Sequence, residues 1–355
     1  MSEGESEAQP RDPELDGLRG IAVGLVLACH LLGVRLGYSW GLPLGSLGVQ
    51  LFFALSGFLI TRLLVRESDG TGGIDLKRFY IRRAFRIFPA FYVFLGAMAL
   101  LIVRGLVTDT NWKSFAAAAL YVSNIRGSST TLGHTWSLAV EEQFYALWPL
   151  GLSLIPRTRR RQVTVGIILV FVTWRAVAIA LELWPLGSSV FYERTDFRLD
   201  SLLLGGLIAM TPPGTRREQP TFRIAGLGVS TLGFVFSPAL GQISFLRPLT
   251  LTVTAVLAAG VVKGVLDCSG MASTAWLRGS ALRGLGRISY SVYLWQQPVL
   301  LAPLTGALIP GGAAGGLLAC LGLGLASYLL VERPMLRVRD SYSMWGASLA
   351  EKPAP

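Results

Sequence analysis

The stretch Leu15 to Leu32, LDGLRGIAVGLVLACHLL, constrains this chain more than any other. It is apolar enough for a helix that crosses a bilayer, yet it carries Asp16, Arg19 and His30. At about 100° per residue Arg19 and His30 fall within roughly 20° of each other on one stripe, about 16 Å apart along the axis. Asp16 joins that stripe, and Val23 and Val26 fill it. An ionisable side chain inside a membrane span is costly and marks function by default. An interhelical hydrogen bond from His30 is the structural alternative.

Of 355 residues, 52% are hydrophobic and only 15% charged, and the mean hydropathy is +0.53. A soluble domain carries about a quarter charged residues. Near-span apolar runs recur from Gly20 to Val331. The fold class is therefore all-α, a polytopic helical membrane protein with one transmembrane domain over residues 15–340. Residues 1–14 and 341–355 are polar and read as disordered cytoplasmic tails. The first of these lacks the basic n-region of a signal peptide.

The net charge of +11 raises the question of nucleic acid, but threading the chain through a bilayer gives a simpler account. Spans are expected near 17–36, 44–65, 87–103, 135–155, 163–183, 199–210, 224–240, 249–266, 289–308 and 312–331. An interfacial helix is expected at Phe115 to Val122. With the N-terminus inside, the clusters at Arg66 to Arg86, Arg157 to Arg161, Arg216 to Arg223, Arg278 to Arg287 and Arg333 to Arg339 all fall on the cytoplasmic side. That agreement predicts about ten transmembrane helices with both termini cytoplasmic, and no nucleic-acid partner. Cys29, Cys268 and Cys320 are scattered, and His30 and His134 are the only histidines. Neither set has the spacing of a disulfide framework or a metal site, so no metal is expected.

Several constellations interrupt the apolar pattern. Arg83 and Arg86 lie three apart on one helical face at the cytoplasmic edge, where two guanidinium forks suit phosphate; topogenic charge and anionic lipid headgroups are the alternatives. Pro89 follows near the start of its span, a tolerable position for proline. Ser56 and Gly57 sit inside the second span, where a small pair also serves helix packing. Glu141 and Glu142 enter the fourth span among Trp136, Phe144 and Tyr145, which suggests a polar cavity. Arg198 and Asp200 stand at the mouth of the sixth span, where they can pair locally. Tyr293 and Trp295 precede two glutamines, Gln296 and Gln297, that fit poorly in an interfacial aromatic belt. Glu332 closes the tenth span. One model unites these pieces. A phosphate-bearing donor is held by cytoplasmic arginines, its reactive end reaches into the bundle, and neutral His30 takes a proton from an acceptor hydroxyl.

The chain resembles the acyltransferase-3 family of integral membrane O-acyltransferases over about Leu15 to Pro334. LDGLRGIAV with its Arg-ten-His spacing is similar to the family's first-helix signature. SGFLITRLL, RRAFRIFP, TWSLAVEEQFYALWP, FRLDSLLLGGLIA, ISYSVYLW and VERP follow in family order. The resemblance implies ten helices in a bacterial plasma membrane. It also implies an acyl-CoA donor, usually acetyl-CoA, and a hydroxyl-bearing acceptor. It makes His30 the candidate base, with Glu141 and Asp200 as catalytic candidates. It places Arg19, Ser56, Gly57, Arg83, Arg86, Tyr293, Trp295 and Glu332 on the donor side, with Arg83 and Arg86 matching the family's Arg-x-x-Arg. Many members read YLWH where this chain has Gln296. The hydrolase-like domain appended in some relatives is absent from the sequence, which implies a stand-alone transferase.

Two acceptors are open: a cell-surface glycan, or a sugar on a secondary metabolite such as a macrolide. The Gly-, Ala- and Arg-rich composition leans toward the second. A proton-coupled transporter or flippase, in which His30 and the glutamates relay protons, is the alternative from another class. A membrane scaffold without chemistry is a third. A covalent route through Cys29 is a minor variant, because Cys29 points about 100° away from His30 on the helix.

Overall fold

In a bilayer the backbone must satisfy its own hydrogen bonds, and this chain does so with helices. In the computed structural model, residues 12–36, 38–126, 129–183, 192–211, 220–237, 239, 247–301 and 312–350 are described, and none of them is in a strand. We number the helices α1 (Pro13–Leu36), α2 (Tyr38–Thr71), α3 (Leu76–Val103), α4 (Trp112–Ala119), α5 (Ser123–Arg126), α6 (Thr135–Leu154), α7 (Arg160–Ala180), α8 (Leu199–Ala209), α9 (Pro220–Phe236), α10 (Arg247–Asp267), α11 (Ser280–Arg287), α12 (Ser289–Leu300), α13 (Gly312–Ser327) and α14 (Arg333–Ala350). A π-turn over Tyr328–Glu332 joins α13 to α14.

Each of the ten expected spans overlaps a described helix, residues 238, 240 and 302–308 of those spans lying outside the described residues, but the helices are not equal. Among the described residues six are long and apolar enough to cross a membrane: Pro13–Leu32, Leu44–Thr71, Leu76–Val103, Arg157–Ala180, Leu249–Asp267 and Gly312–Ser341. The others are shorter or more polar. α8 has 11 residues, α9 has 17 and α12 has 12. α6 has 20, but Glu141, Glu142 and Gln143 interrupt it. The expected interfacial helix is present as α4, capped by Asn111, whose side chain accepts from Ser114 N at 2.8 Å.

Two expected boundaries are corrected. The basic run Lys77 to Arg86 is not a loop: α3 begins at Leu76, where the Asp75 carboxylate accepts from Arg78 N at 2.9 Å. An N-cap there starts a helix that hydropathy detects only from Ile87 onward. Pro89 consequently lies in the helix interior, where it supplies no N–H to the ladder. The Ile87 carbonyl beside it accepts from the Tyr290 hydroxyl at 3.0 Å. α14 continues to Ala350, past the point near Tyr342 where the sequence reads as a polar tail. Residues 1–11 and 351–355 of the expected tails lie outside the described residues.

α2 is the central helix. Its apolar stretch is 72% buried, against 22% for that of α7. One core packs α2 against α3, α6 and α8 through Phe53, Leu64, Phe91, Phe94, Leu152 and Leu202. A second joins α1 and α2 to α10, and a third joins α1 to α12 and α13. The outer faces keep Val103, Leu147, Leu154, Leu318 and Leu330 exposed, as lipid-facing positions require.

Close helix approach depends on glycine, since small residues let membrane helices touch backbone to backbone. A Cβ at Gly57 would stand 1.8 Å from the Leu202 carbonyl oxygen, and one at Gly205 would stand 2.0 Å from that of Ala54. Gly57 is thus the seam between α2 and α8. Gly57→Ala should lower the thermal midpoint of the purified protein, by the equivalent of about 1–3 kcal/mol or more, because no side chain can move aside. Gly96→Ala, where nothing lies within 4 Å of the added carbon, should leave it unchanged or slightly raised. Size-exclusion melting in detergent reads both.

Candidate active site

The helix seams bring the Arg19 end of α1 beside α2, α3, α6, α12 and the π-turn, and a partly open cleft lies between them. Seven of the eleven residues singled out from sequence line it: Arg19, Ser56, Arg83, Arg86, Glu141, Tyr293 and Glu332. Glu142, Tyr145, Arg287 and Tyr290 complete its polar wall.

The charges in this wall are unevenly partnered. The Ser56 hydroxyl donates to Glu141 Oε1 at 2.6 Å, and Ser291 donates to Glu332 Oε2 at 2.9 Å. The π-turn ends at Glu332, which is buried. An extra residue in a turn re-aims side chains in this way, often at functional sites. By contrast, among the described residues no carboxylate oxygen lies within 4 Å of the Arg19, Arg83 or Arg86 guanidinium. Arg83 stacks over the Tyr145 ring at 3.6 Å, and its Nε is buried without a hydrogen bond. Arg287 makes a long contact of 3.8 Å with Asp16. Arginines left with donor capacity in a partly enclosed cleft form an anion site, and the guanidinium fork matches phosphate oxygens.

The pocket ends at Tyr293. Its hydroxyl shares a hydrogen bond of 2.6 Å with Ser137 and packs beside Phe52 at 6.0 Å. Beyond this pair, 5.6 Å from the Tyr293 ring, is His134. His30 does not line the pocket. It lies within interaction range of His134 and Gln296, on the other side of Tyr293. Trp295 is there too, edge-on to Phe94 at 5.4 Å, rather than in the donor wall. From the segment before α8, Arg198 lies over the Trp136 ring at 5.3 Å. Glu193 in the same segment comes within range of Tyr293. Burial pushes the Glu193 carboxyl up to about 7, against the opposing pull of Arg198.

Gly57 and Asp200 stand apart from both regions. Gly57 is taken up by the α2–α8 seam. Asp200 pairs with Arg175 of α7 at 2.7 Å, both side chains 2% exposed. Arg175 also donates to the Phe197 carbonyl at 2.5 Å and to Thr252, and Asp200 Oδ1 accepts from Ser201 N at 3.0 Å. The partner is not Arg198, which donates instead to the Tyr192 carbonyl at 2.5 Å. Arg175 carries a signal that sequence supplies, a lone arginine deep in an apolar span, yet no motif flags it. Arg287 and Tyr290 were legible only as topogenic charge and interfacial aromatic.

Comparison with known proteins matches residues 12–331 to the model of an acyltransferase domain, acyltransferase-3. The chain belongs to the acyltransferase-3 family. Among curated relatives of this chain, the peptidoglycan O-acetyltransferase OatA of Listeria monocytogenes is 30% identical over 319 residues. That match covers 81% of this chain and 49% of the relative. The O-acetyltransferase OatA of Staphylococcus aureus is 31% identical over 312 residues, covering 81% and 50%. The chain spans about half the length of the curated relatives it matches. No solved structure matches it.

The Arg175–Asp200 pair has no contact with the pocket, and its removal should read as stability. Leaving one buried charge without its partner costs about 3–5 kcal/mol, whereas an apolar replacement of both is close to neutral. Asp200→Ala should therefore melt well below the wild type, and Arg175→Met combined with Asp200→Leu should recover most of the loss. Equal melting of the single and double variants would show that the pair acts through something other than charge burial.

Proposed function

We propose that this protein is a membrane O-acyltransferase that moves an acyl group, acetyl in the first instance, from acyl-CoA to a hydroxyl of a carbohydrate-containing acceptor. The observation that carries this reading is the set of three arginines, Arg19, Arg83 and Arg86, lining one pocket with no carboxylate within 4 Å. Membership of the family and the O-acetyltransferase names of its relatives support the same reaction.

On this reading Arg83 and Arg86 hold the CoA phosphates at the basic end and Arg19 guides the chain inward. The thioester is presented at Tyr293 and Ser137. The roughly 16 Å between Arg19 and His30 along α1 suits an extended carrier arm rather than a small anion. His30 receives the proton of the acceptor hydroxyl as its oxygen attacks the thioester carbonyl. A C–O bond forms, the C–S bond breaks, and the proton returns to the departing thiolate, so that ester and free CoA thiol leave. A histidine suits both transfers because its ordinary range is near neutrality. Glu141 and Glu332, held by Ser56 and Ser291, stand in the same wall and leave the arginine donors to the ligand. Asp200 braces α7 against α8. The arrangement carries ten spans in a bacterial plasma membrane with both termini cytoplasmic, so that the arginines face the CoA pool. The acceptor is a cell-surface glycan, as peptidoglycan is for the Listeria relative by its name, or a glycosylated small molecule.

Release of free CoA thiol from acetyl-CoA in lipid nanodiscs, alongside acetyl-CoA binding, tests the reading. His30→Ala should lose about 10²–10⁴-fold in rate, the usual share of a general base, and still bind acetyl-CoA. Arg86→Ala should weaken binding by roughly tenfold or more, the equivalent of one hydrogen bond to a charged group at about 1.5–3 kcal/mol. A wild type that binds no CoA, with His30→Ala unchanged in cells, would replace transfer with proton-coupled transport.

A further inference from the structure

Beyond Tyr293 lies a group of buried polar atoms: His134 Nε2 and Trp295 Nε1, which have no hydrogen bond within the chain, and the side chains of His30 and Gln296, which lie within hydrogen-bonding reach of each other. They come from α1, the residue before α6, and α12, and are linked through Phe94 and His30. Phe94 packs against both the His134 ring (5.6 Å) and the Trp295 ring (5.4 Å). His30 is within range of His134 and of Gln296. His134 is 4% exposed and Gln296 0%. Buried polar atoms are almost always paired, because desolvation without a partner is costly, so a cluster of unpaired ones points to a ligand.

His134 is held in a defined state. Its backbone N–H donates to Gln297 Oε1, which fixes the oxygen end of that amide toward the histidine, because an NH₂ group cannot accept there. Nδ1 lies 3.0 Å from the same oxygen. An amide oxygen only accepts, so Nδ1 carries the ring proton, and Nε2 of the neutral ring presents its lone pair. The Gln297 Nε2 end lies over Gly133, where a Cβ would come within 2.6 Å of it. The Leu294 carbonyl also faces the ring.

The chemistry of the cluster selects its ligand. A phosphate would need donors alone and an ammonium acceptors alone. The cluster holds both donors (Trp295 N–H, the Gln296 NH₂) and acceptors (His134 Nε2, the Gln296 carbonyl), and Glu193 Oε2 and Arg198 Nη1, also buried and unpaired, come from the segment that reaches Tyr293 and Trp136. A group of adjacent hydroxyls, each of which donates and accepts, satisfies such a set. The cluster also adjoins the donor pocket, since Tyr293 lines that pocket and its ring lies 5.6 Å from His134.

We propose that His134, Trp295 and Gln296 form with His30 the subsite that binds the acceptor as a vicinal diol. His30 takes the reacting hydroxyl, His134 Nε2 accepts from its neighbour, and Gln297 is a positioning residue that fixes the His134 tautomer. The proposal rests on the transferase reading given above and names the acceptor side of the same reaction.

The test uses the full chain in nanodiscs, with trans-cyclohexane-1,2-diol and cyclohexanol as probe acceptors, CoA thiol release as the rate, and acetyl-CoA affinity measured separately. The wild type should use the diol with saturation and at least tenfold more efficiently than the mono-alcohol. His134→Ala and Gln296→Leu should raise the KM for the diol tenfold or more, change kcat less, and keep acetyl-CoA affinity. His134→Asn serves where the alanine variant fails to fold. Gln297→Leu should behave like His134→Ala, and Gln297→Glu, which still accepts from both N–H groups, should restore a low KM. Equal use of diol and mono-alcohol, no use of the diol by a wild type that binds acetyl-CoA, or unaltered diol KM in the His134 variants would each overturn the subsite and leave the donor assignment standing. Failure of the wild type to bind acetyl-CoA would overturn the transferase reading itself.

Discussion

The structure depends on backbone-to-backbone contact between helices at glycine. A Cβ on Gly286 would stand 1.8 Å from the Asp16 carbonyl oxygen, and one on Gly20 would stand 2.3 Å from that of Leu282. This contact sets the Arg19 end of α1 directly against α11, the short helix that leads into α12, and so puts Arg19 in the same wall as Tyr290 and Tyr293. The second seam, at Gly57 and Gly205, fixes α2 beside α8 and leaves Ser56 turned toward α6. In a bilayer the hydrophobic effect does not drive one helix onto another, so this van der Waals fit has to hold them. The site is a product of the seams, and its polar residues are placed by positions that carry no side chain.

Electrostatics then distinguish two polar regions along one axis. In the first, four arginines and three glutamates line one pocket, and serine hydroxyls occupy two of the carboxylates. That leaves guanidinium groups with unspent donors, a costly arrangement in low dielectric unless an anion completes it. In the second region the unpaired atoms are mostly those of neutral rings and amides, with Glu193 Oε2 and Arg198 Nη1 of the segment before α8 nearby. An anionic ligand is favoured at one end and a neutral, hydroxylated one at the other.

Much of this is legible in the sequence, and the exceptions have physical causes. The positions of the helices follow from apolar runs. Their ends do not, because a cap such as Asp75 extends α3 through a basic segment that hydropathy scores as loop. Seven site residues converge from six elements, and the motifs that name them lie far apart in the chain, so sequence gives the members of the set while only packing gives the set. Gly57 reads equally as a ligand contact and as a seam, and the nearness of Leu202 decides for the seam. Asp200 reads as a site residue because its long-range partner, Arg175, is invisible to local periodicity. Trp295 lies within the right motif, but its ring packs on Phe94, which also packs on His134.

The Ser137–Tyr293 pair has a bearing on the membrane as a whole. On the proposed reading, the arginine-lined cleft faces one compartment and the polar cluster beyond Tyr293 faces the other, with this pair as the wall between them. Tyr293 is 6% exposed and Ser137 4%, and the bond between them fills that wall with one hydroxyl pair and an aromatic ring. On the transferase reading proposed above, a thin partition of this kind would bring a thioester and an alcohol together while keeping the two sides of the membrane apart.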